Sequence, residues 1–217
     1  MCGRYGYTNT DREKIKKRFR LKDICFDPVP RYNMAPGQDV PVILNAAPRE
    51  MQLARWGLVP FWAKDEKIGY KMINARAETI FEKPAYRNAI KKKRCLVPAD
   101  FFFEWQKTTE GKQPHCIRLK SHDSFSFAGI WECWREELIS CSIITCAANK
   151  DVAPVHGRMP VILEEQDEPQ WLDGKQIESF LQPLIDGRIE AYPISTLVNF
   201  PKNDGPDILQ KVDGNAR

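Results

Sequence analysis

The run Ser140-Cys-Ser-Ile-Ile-Thr-Cys146 is the clearest β-strand in this sequence, because small and β-branched residues follow one another without Gly, Pro or charge. Further short strand patterns lie at residues 40–44, 52–58, 95–97, 116–119, 125–130 and 161–163. Helical patterns are fewer and cover residues 10–20, 84–94, 167–172 and 176–181. Strands that do not alternate regularly with helices are typical of the α+β class, which we predict here.

Two of these helices carry signals at their ends. Thr10 and Glu13 have the spacing of a capping box, which predicts the start of the first helix. Pro84 suits the first turn of the second helix. Its last turn would hold the basic run 91–94, where cations interact favourably with the helix dipole.

Length and composition limit the class of protein. The chain has 217 residues, of which 42% are hydrophobic, and this is enough to bury a core without disulfides or a structural metal. No apolar stretch approaches the roughly 20 residues that a membrane span requires, and the charged first twenty residues contain no secretory signal. With no linker or repeat, we expect one cytoplasmic domain over residues 1–217, ending in a tail at about 201–217.

Positive charge is concentrated in the first half of the chain. Residues 1–100 hold 21 Lys and Arg against 11 Asp and Glu, whereas residues 101–217 hold 12 against 18. The formal net charge of +4 therefore conceals a basic half and an acidic half. A basic surface attracts polyanions, nucleic acid above all, although an ordinary solvated surface would show the same imbalance.

Seven cysteines stand at positions 2, 25, 95, 116, 133, 141 and 146. Their number is odd, none has the C-x-x-C spacing, and only three histidines accompany them. We therefore predict no zinc site and expect no cofactor. Most of these cysteines lie in apolar runs, where a reduced thiol acts as a small hydrophobic side chain.

Cys2 differs from the others because it stands at the start of the chain. A small second residue permits removal of Met1, which would leave Cys2 with a free α-amine beside its thiol. With ordinary pKa values of about 7.7–8.0 for the amine and about 8.5 for the thiol, both groups would be partly deprotonated at neutral pH. The amine can condense with a carbonyl to an imine, and the thiolate can then close a five-membered thiazolidine. An incidental cysteine is the alternative.

Three further segments combine reactive side chains. Residues 73–79, Ile-Asn-Ala-Arg-Ala-Glu-Thr, hold an amide, a guanidinium and a carboxylate. Glu104 stands among four aromatic residues, and burial there would raise the pKa of its carboxyl and make it a candidate general acid or base. His156 is followed by Gly157 and Arg158. Each segment also has an ordinary interpretation: a capped turn, a solvated strand residue and a structural histidine.

Several motifs occur in the order found in one protein family. They are Met1-Cys-Gly-Arg-Tyr5, Arg31-Tyr-Asn-Met-Ala-Pro-Gly37, Arg55-Trp-Gly-Leu-Val-Pro60 with Trp62-Ala, Ile73-Asn-Ala-Arg-Ala-Glu-Thr79, Cys95-Leu-Val-Pro-Ala-Asp100, Phe103-Glu-Trp105 and His156-Gly-Arg-Met-Pro160. Over residues 1–200 the chain thereby resembles the SRAP family, named for SOS response-associated peptidases. The resemblance implies a compact α+β domain with a strongly curved, barrel-like antiparallel sheet, flanking helices and a basic groove for nucleic acid.

The resemblance also implies an activity. Members of the family crosslink to abasic sites, and the mature N-terminal cysteine, here Cys2, forms a thiazolidine with the ring-opened sugar aldehyde in single-stranded DNA. This adduct would shield the lesion during the DNA damage response. The family name reflects an older inference of peptidase activity, here limited to autopeptidase removal of Met1. We expect a lyase-like crosslinking protein that acts as a monomer and is nucleoid-associated if its source is prokaryotic.

Residue by residue, the resemblance assigns catalytic roles to Cys2, Asn74, Glu104 and His156. Glu104 would transfer protons in sugar ring opening and in reversal of the crosslink. His156 would donate a proton to the opened sugar, or anchor its hydroxyl or the adjacent phosphate. Asn74 would hold the Cys2 end in register. The sequence departs from the family pattern at Gly157, where an Asp is frequent, and this does not affect the four catalytic positions.

The same motifs imply five DNA-binding residues, Arg4, Asn33, Arg76, Trp105 and Arg158. Arg4 and Arg76 match phosphate contacts of the family, while Asn33 and Trp105 lie in motifs that line its groove. An abasic site offers no base, so recognition depends on phosphate charge and on stacking of the neighbouring bases, at about 1–3 kcal/mol per base. We expect such a groove to accept the lesion in any sequence context.

Two other functions remain open at this point. A cysteine peptidase or amidohydrolase with an N-terminal nucleophile would use the same Cys2, with Glu104 or His156 as base and Asn74 as oxyanion donor. A DNA-binding module without chemistry would need only the basic half of the chain. Three outcomes distinguish these functions. Covalent capture of abasic DNA indicates the crosslinking protein, cleavage of a peptide indicates the peptidase, and binding without reaction indicates the module.

Overall fold

The computed structural model describes residues 2–212, and strands dominate them. The strands are β1 (Tyr5–Tyr7), β2 (Asp23–Ile24), β3 (Arg31–Met34), β4 (Asp39–Leu44), β5 (Glu50–Trp56), β6 (Asn74–Arg76), β7 (Arg94–Ala99), β8 (Phe101–Thr108), β9 (Gly111–Leu119), β10 (Phe125–Trp134), β11 (Leu138–Ala147), β12 (Arg158–Pro160), β13 (Ile162–Leu163) and β14 (Ile189–Pro193). The α-helices are α1 (Arg12–Phe19), α2 (Ala89–Lys92) and α3 (Glu168–Asp173), and short 3-10 helices cover Glu66–Lys71, Ala77–Thr79, Ile177–Phe180, Thr196–Asn199 and Pro206–Leu209. The predicted α+β class is confirmed.

A closed barrel of five strands lies at the centre of the fold. Its order is β5-β4-β7-β10-β11, and β11 pairs back to β5 to close the ring. The closing pair is parallel, with Cys141 beside Trp56, whereas the other four pairs are antiparallel. Because closure removes the exposed edges, no strand of the ring is left to pair with another chain. The curved, barrel-like sheet is confirmed, but three of its pairs are parallel, which we did not predict: β11 with β5, β11 with β6, and β2 with β5.

A second sheet, in the order β14-β9-β8-β1-β3, packs against the barrel. Tyr5 of β1 meets the rings of Trp56 and Phe127 edge-on, at centroid distances of 5.2 and 5.5 Å. Phe102 of β8 meets Phe127 in the same way at 6.0 Å. The two sheets therefore share one apolar core, and the shared core fixes β1, which follows closely on Cys2.

The predicted strands are present, and most of them extend beyond the predicted ends. The pair β10–β11 continues to Trp134 and Leu138, past the apolar residues, because backbone hydrogen bonding does not depend on side-chain polarity. The predictions did not include β8, which pairs with β9 in a hairpin, or the shorter strands β1, β2, β3, β6, β12 and β14. The shorter strands have too few residues to show a pattern, and β1 and β14 take their hydrogen bonds from partners distant in sequence.

The first helix begins one residue later than predicted. The N-cap is Asp11, whose side chain accepts a hydrogen bond from the Lys14 backbone N–H at 3.1 Å, so Thr10 does not cap the helix. Carboxylates accept this bond at least as well as hydroxyls do. The helix ends at Arg20, which adopts the left-handed conformation with φ 53°.

The second predicted helix is much shorter than expected, and α2 begins only at Ala89. The basic run ends in Arg94, a buried side chain that donates to the carbonyls of Ile90, Lys91, Trp171 and Leu172. Arg94 thus satisfies the carboxyl ends of α2 and α3 together, which is a structural role for this part of the basic run.

The remaining predicted helices are short. Residues 167–172 correspond to α3, and residues 176–181 contain only a 3-10 helix. Within residues 2–212, no helix is both long and apolar enough to cross a membrane.

The segment after residue 200 packs back onto the second sheet as far as residue 212. Ile208 is buried beside Phe101 and Phe103, and the backbone N–H of Val212 donates to Pro193. Asp204 accepts hydrogen bonds from the backbone of β3. Of the predicted tail, residues 201–212 therefore form part of the packed structure, while 213–217 lie outside the described residues.

Candidate active site at the start of the chain

Cys2 lies at the entrance to β1 and is fully buried. Its thiol donates a weak hydrogen bond to the carbonyl of Arg4, with sulfur and oxygen 3.8 Å apart. Burial raises the pKa of the Cys2 thiol well above its ordinary value, and the negative charge of Glu104 acts in the same direction. In this chain, where Cys2 still follows Met1, burial therefore favours the neutral thiol, whereas the partly ionised thiol that we expect concerns the chain without Met1.

Asn74 holds the backbone of Cys2 directly. Strand β6 pairs with β11, with Asn74 beside Ile143, and this pairing brings the Asn74 side chain to the start of the chain. Its Nδ2 donates to the carbonyl of Cys2 at 2.7 Å, and its own backbone carbonyl accepts from the Tyr86 hydroxyl at 3.3 Å. The buried Oδ1 of Asn74 has no hydrogen-bond partner among residues 2–212.

Glu104 and His156 come together beside Cys2 from different elements. Glu104 lies on β8 with its side chain only 4% exposed, and His156, 33% exposed, lies immediately before β12. The Oε1 of Glu104 and the Nδ1 of His156 are 3.9 Å apart. Burial raises the pKa of the Glu104 carboxyl, as we predicted, while the positive charge of protonated His156 opposes that shift.

The imidazole of His156 is oriented by the chain that follows it. The backbone N–H of Arg158 donates to Nδ1 at 3.0 Å, so in the neutral ring this nitrogen is an acceptor and Nε2 carries the proton. A protonated ring could instead donate from Nδ1 to the Arg158 carbonyl at 3.1 Å or to Glu104. The pair is therefore suited to exchanging a proton.

Arg4, Asn33 and Trp105 form a second group, held together by residues 196–203. Arg4 donates from Nη1 to the side-chain oxygen of Asn33 at 2.9 Å and to the carbonyl of Val198 at 2.8 Å. The indole Nε1–H of Trp105 donates to the side chain of Asn199 at 2.8 Å. Since Arg4 is two residues from Cys2 and Trp105 is next to Glu104, this group lies beside the first.

Asn33 is buried and does not line a groove, contrary to our expectation. Its side chain is fully buried, and its Nδ2 lies within 3.2 Å of the carbonyls of Val198, Phe200 and Asn203. A side chain committed in this way presents no group at the surface. Asn33 therefore positions Arg4 and the 196–203 segment.

Arg76 and Arg158 lie on the two strands that flank β11. Arg76 of β6 is exposed. Arg158 of β12 makes a two-pronged ion pair with Glu78, at 2.7 and 3.0 Å, and also donates to the carbonyl of Thr145 at 2.6 Å. The pair with Arg158 lowers the pKa of the Glu78 carboxyl. Arg76 is the more exposed of the two arginines and makes no such two-pronged pair among the described residues, although its charge also acts on Glu78.

The structure thus brings Cys2, Asn74, Glu104 and His156 into one cluster. The predictions did not include Asn199 or the pairing of Glu78 with Arg158. Glu78 stands in a motif that we singled out, whereas nothing near Asn199 in sequence indicates a link to residue 4. Within residues 2–212, no group of three or more His, Cys, Asp or Glu side chains is arranged to hold a metal ion.

Comparison with known proteins points to one family. Residues 1–201 match the family model described as SOS response associated peptidase (SRAP). The chain is 42% identical to the abasic site processing protein YoqW of Bacillus subtilis, over 97% of this chain and 99% of that protein. It is 33% identical to the abasic site processing protein HMCES of Gallus gallus, over 85% of this chain and 67% of that protein. A crystal structure of a Bacteroides thetaiotaomicron protein is also similar, with a TM-score of 0.83 and 30% identity over 96% of this chain and 99% of that one.

Proposed function

Because this chain belongs to the SOS response associated peptidase (SRAP) family, we propose that it captures abasic sites in single-stranded DNA through a covalent bond to Cys2. Relatives named abasic site processing proteins support the lesion as the target. The observation that carries the chemistry is the surroundings of Cys2, where an amide and a titratable carboxyl meet at the start of the chain. The bound protein would shield the lesion.

The proposed reaction begins once Met1 is removed and the nitrogen of Cys2 is an amine. In the closed sugar, the C1′ hydroxyl loses its proton, the C1′–O4′ bond breaks to give an aldehyde, and O4′ takes up a proton. The amine nitrogen adds to C1′, and loss of water leaves an imine. The sulfur then adds to the same carbon while the thiol proton passes to the nitrogen, which completes the thiazolidine.

The neutral thiol sets the order of these steps. In the proposal, burial continues to keep the Cys2 thiol protonated after Met1 is removed, so the amine is the stronger nucleophile at the outset. Sulfur becomes competent only when its proton can be transferred, at the stage where the imine carbon is strongly electrophilic. The order of amine first and sulfur second follows from this difference.

Glu104 is our candidate for the proton transfers of ring opening. Because burial raises the pKa of its carboxyl, Glu104 can hold a proton closer to neutral pH and donate it to O4′. The same group can serve in the reverse direction and release the sugar. His156, more exposed than Glu104, is placed in our proposal against the opened sugar hydroxyl or the adjacent phosphate.

Asn74 is assigned a positioning role. Its amide donates to the carbonyl of Cys2 itself, which favours anchoring of the nucleophilic residue over an oxyanion role toward the preceding carbonyl. This contact weakens the case for a general peptidase, although removal of Met1 by the chain itself remains part of the proposal.

The nucleic-acid face in this proposal consists of Arg76, Arg158, Arg4 and Trp105. Arg76 is exposed and can meet a phosphate directly. To contact a phosphate, Arg158 must break its ion pair with Glu78. One side of the Arg4 guanidinium is already bonded to backbone carbonyls. We extend the proposal to a monomer that acts in the cytoplasm, which the absence of a membrane-crossing helix among residues 2–212 allows.

A single-stranded oligonucleotide with one abasic site tests the proposal on a denaturing gel. The protein should give a slow, heat-resistant band, and the same oligonucleotide with its sugar aldehyde reduced should give none. Cys25→Ala is the matched control, because Cys25 is an exposed thiol elsewhere in the chain, and it should crosslink like the wild type.

Intact mass spectrometry of the adduct completes the test. The expected mass is that of protein without Met1 plus oligonucleotide less one water, because imine formation releases water and ring closure releases nothing. Crosslinking by a protein that retains Met1 would exclude the thiazolidine, and peptide cleavage without any adduct would favour the peptidase.

A further inference from the structure

The segment 196–203, which joins β14 to the last 3-10 helix, has no part in the proposed reaction, and yet its backbone is held at many points. The carbonyls of Val198 and Asn199 accept from Arg4, at 2.8 and 3.5 Å. The Asn203 side chain donates to the carbonyl of Leu197 at 2.8 Å. Together with the contacts from Asn33 described above, these bonds make the segment a rigid extension of the second sheet.

Large apolar side chains stand out from this rigid backbone. Phe200 is 68% exposed and Leu197 is 46% exposed, while Val198 between them is fully buried. The carbonyl of Phe200 accepts from Asn33 at 3.1 Å, so the ring is presented from a fixed point. An exposed aromatic ring on an ordered backbone loses little conformational entropy when a partner covers it.

The surroundings of Phe200 indicate the chemistry of that partner. Trp105 is bonded to the neighbouring residue Asn199, and Lys202 is exposed two residues further along. Asp204, the nearest carboxylate in sequence, is neutralised by Arg31 at 2.6 Å and by the backbone N–H groups of β3. An aromatic surface with an exposed lysine beside it, and with its nearest acid in sequence paired, suits a flat base attached to a phosphate backbone.

From this arrangement, we propose that Phe200, with Leu197 beside it, is a stacking site for an unpaired nucleobase next to the lesion. The site is continuous with Trp105 and Arg4, so it lengthens the nucleic-acid face along the strand. The inference rests on the proposed function for the position of the lesion, but base stacking itself needs no covalent chemistry. The two can therefore be tested separately.

Fluorescence anisotropy with an undamaged single-stranded oligonucleotide measures the stacking site without any crosslink. Phe200→Ala should weaken binding by about 5- to 150-fold, the effect of losing one base–aromatic stack. The slope of affinity against salt concentration should not change, because no charge is removed. Phe200→Trp should bind as the wild type does. Ile185→Ala, which removes a similarly exposed apolar side chain (74%) from another loop, is the control and should have no effect.

Three results would overturn the stacking site. The first is wild-type affinity in Phe200→Ala, and the second is binding by Phe200→Trp as weak as that of Phe200→Ala. The third is a concentration-dependent dimer of the wild type that Phe200→Ala abolishes without change in DNA affinity, since the face would then serve a second copy of this chain. If the wild type forms no adduct with abasic DNA while Phe200→Ala still weakens binding, the proposed function fails and the stacking site stands.

Discussion

Cys2 and Cys141 are both fully buried thiols, but their surroundings differ. Cys141 lies in the barrel wall at the closing pair of strands, and burial raises the pKa of its thiol to about 12. Cys2 lies where the second sheet meets the barrel, with Asn74 on its carbonyl and Glu104 close enough to act on its thiol. Burial by itself therefore does not set Cys2, the thiol that we propose as reactive, apart from Cys141. Polar neighbours and the position at the chain start do.

The same contrast holds for two buried carboxyls. Glu104 and Glu132 are 3% and 4% exposed. Glu132 of β10 makes an ion pair with Lys93 at 2.7 Å. Glu104 faces a histidine whose charge depends on pH, and burial raises the pKa of its carboxyl. We therefore assign Glu132 a structural role and keep Glu104 as the candidate for proton transfer.

The sharpest test of this contrast is removal of each thiol. Cys2→Ala should abolish the heat-stable adduct, because neither a thiazolidine nor a thiol adduct can form, and should leave an imine that borohydride traps. Cys141→Ala should crosslink at the wild-type rate and lower the free energy of unfolding by about 1–2 kcal/mol. Denaturing gels and urea unfolding measure the two effects. A heat-stable adduct that persists in Cys2→Ala would transfer the chemistry to another residue.

Removal of each carboxyl should give a smaller but parallel difference. Glu104→Gln should slow crosslinking by about 10²–10⁴-fold, the usual contribution of a general acid, and His156→Ala should slow it in the same direction. Both should stay within about 1–2 kcal/mol of wild-type stability. Glu132→Gln is the matched control and should keep the rate. Single-turnover kinetics measure the crosslinking rates. If Glu104→Gln or His156→Ala were unfolded, the residue would be a partner in the core and not a proton-transfer group.

Charge contacts should separate from the chemistry. Arg76→Gln should lower the salt slope of single-strand binding by about 0.7, the value for one phosphate contact, whereas Cys2→Ala should leave the slope unchanged. Arg20→Gln, which removes an exposed arginine at the end of α1, serves as the control. Binding titrations at several salt concentrations give the slopes. An equal change in Arg76→Gln and Arg20→Gln would mean that the protein binds through diffuse charge.

The smallest expected effect is the pH dependence of stability that Glu104 contributes. Since its pKa is raised in the folded state, the folded protein binds this proton more tightly than the unfolded chain does. Wild-type stability attributable to Glu104 should therefore be complete below about pH 4.3 and decline as pH rises through the folded-state pKa. Urea unfolding from about pH 4 to about pH 7 should show Glu104→Gln gaining on the wild type as pH rises. A gap that is constant with pH would contradict the raised pKa.

Much of the fold could be predicted because its signals are local. The strand patterns at 95–97, 125–130 and 140–146 all lie in barrel strands, since runs of β-branched and apolar residues already favour a buried strand. The start of α1 was missed by one residue, because Asp11 and Thr10 can both cap a helix. Strands β1 and β14 lack such patterns, and pairing with distant segments makes them strands.

The sequence identified the residues of the candidate site but not the contacts between them. Reading the chain placed Cys2, Asn74, Glu104 and His156 in candidate reactive segments, and the resemblance assigned their roles. For two of the predicted DNA-binding residues, the structure shows contacts within the protein that the sequence did not indicate. Asn33 is buried and holds the 196–203 segment, and Arg158 is engaged by Glu78. Neither partner could be identified from spacing alone.

The amino-acid sequence by itself determined the α+β class, the strands of the barrel wall and the presence of a cysteine at position 2, because each depends on residue type and short-range pattern. Only the tertiary structure decided that burial raises the pKa of the Cys2 thiol, that Glu104 lies close to it, and that Arg4 is held by Val198, 194 residues away in sequence. The physical reason is that a pKa depends on solvent and charges in space, and a hydrogen bond depends on distance in space. Both depend on how the two sheets pack against each other, and this packing cannot be inferred from any short stretch of the sequence.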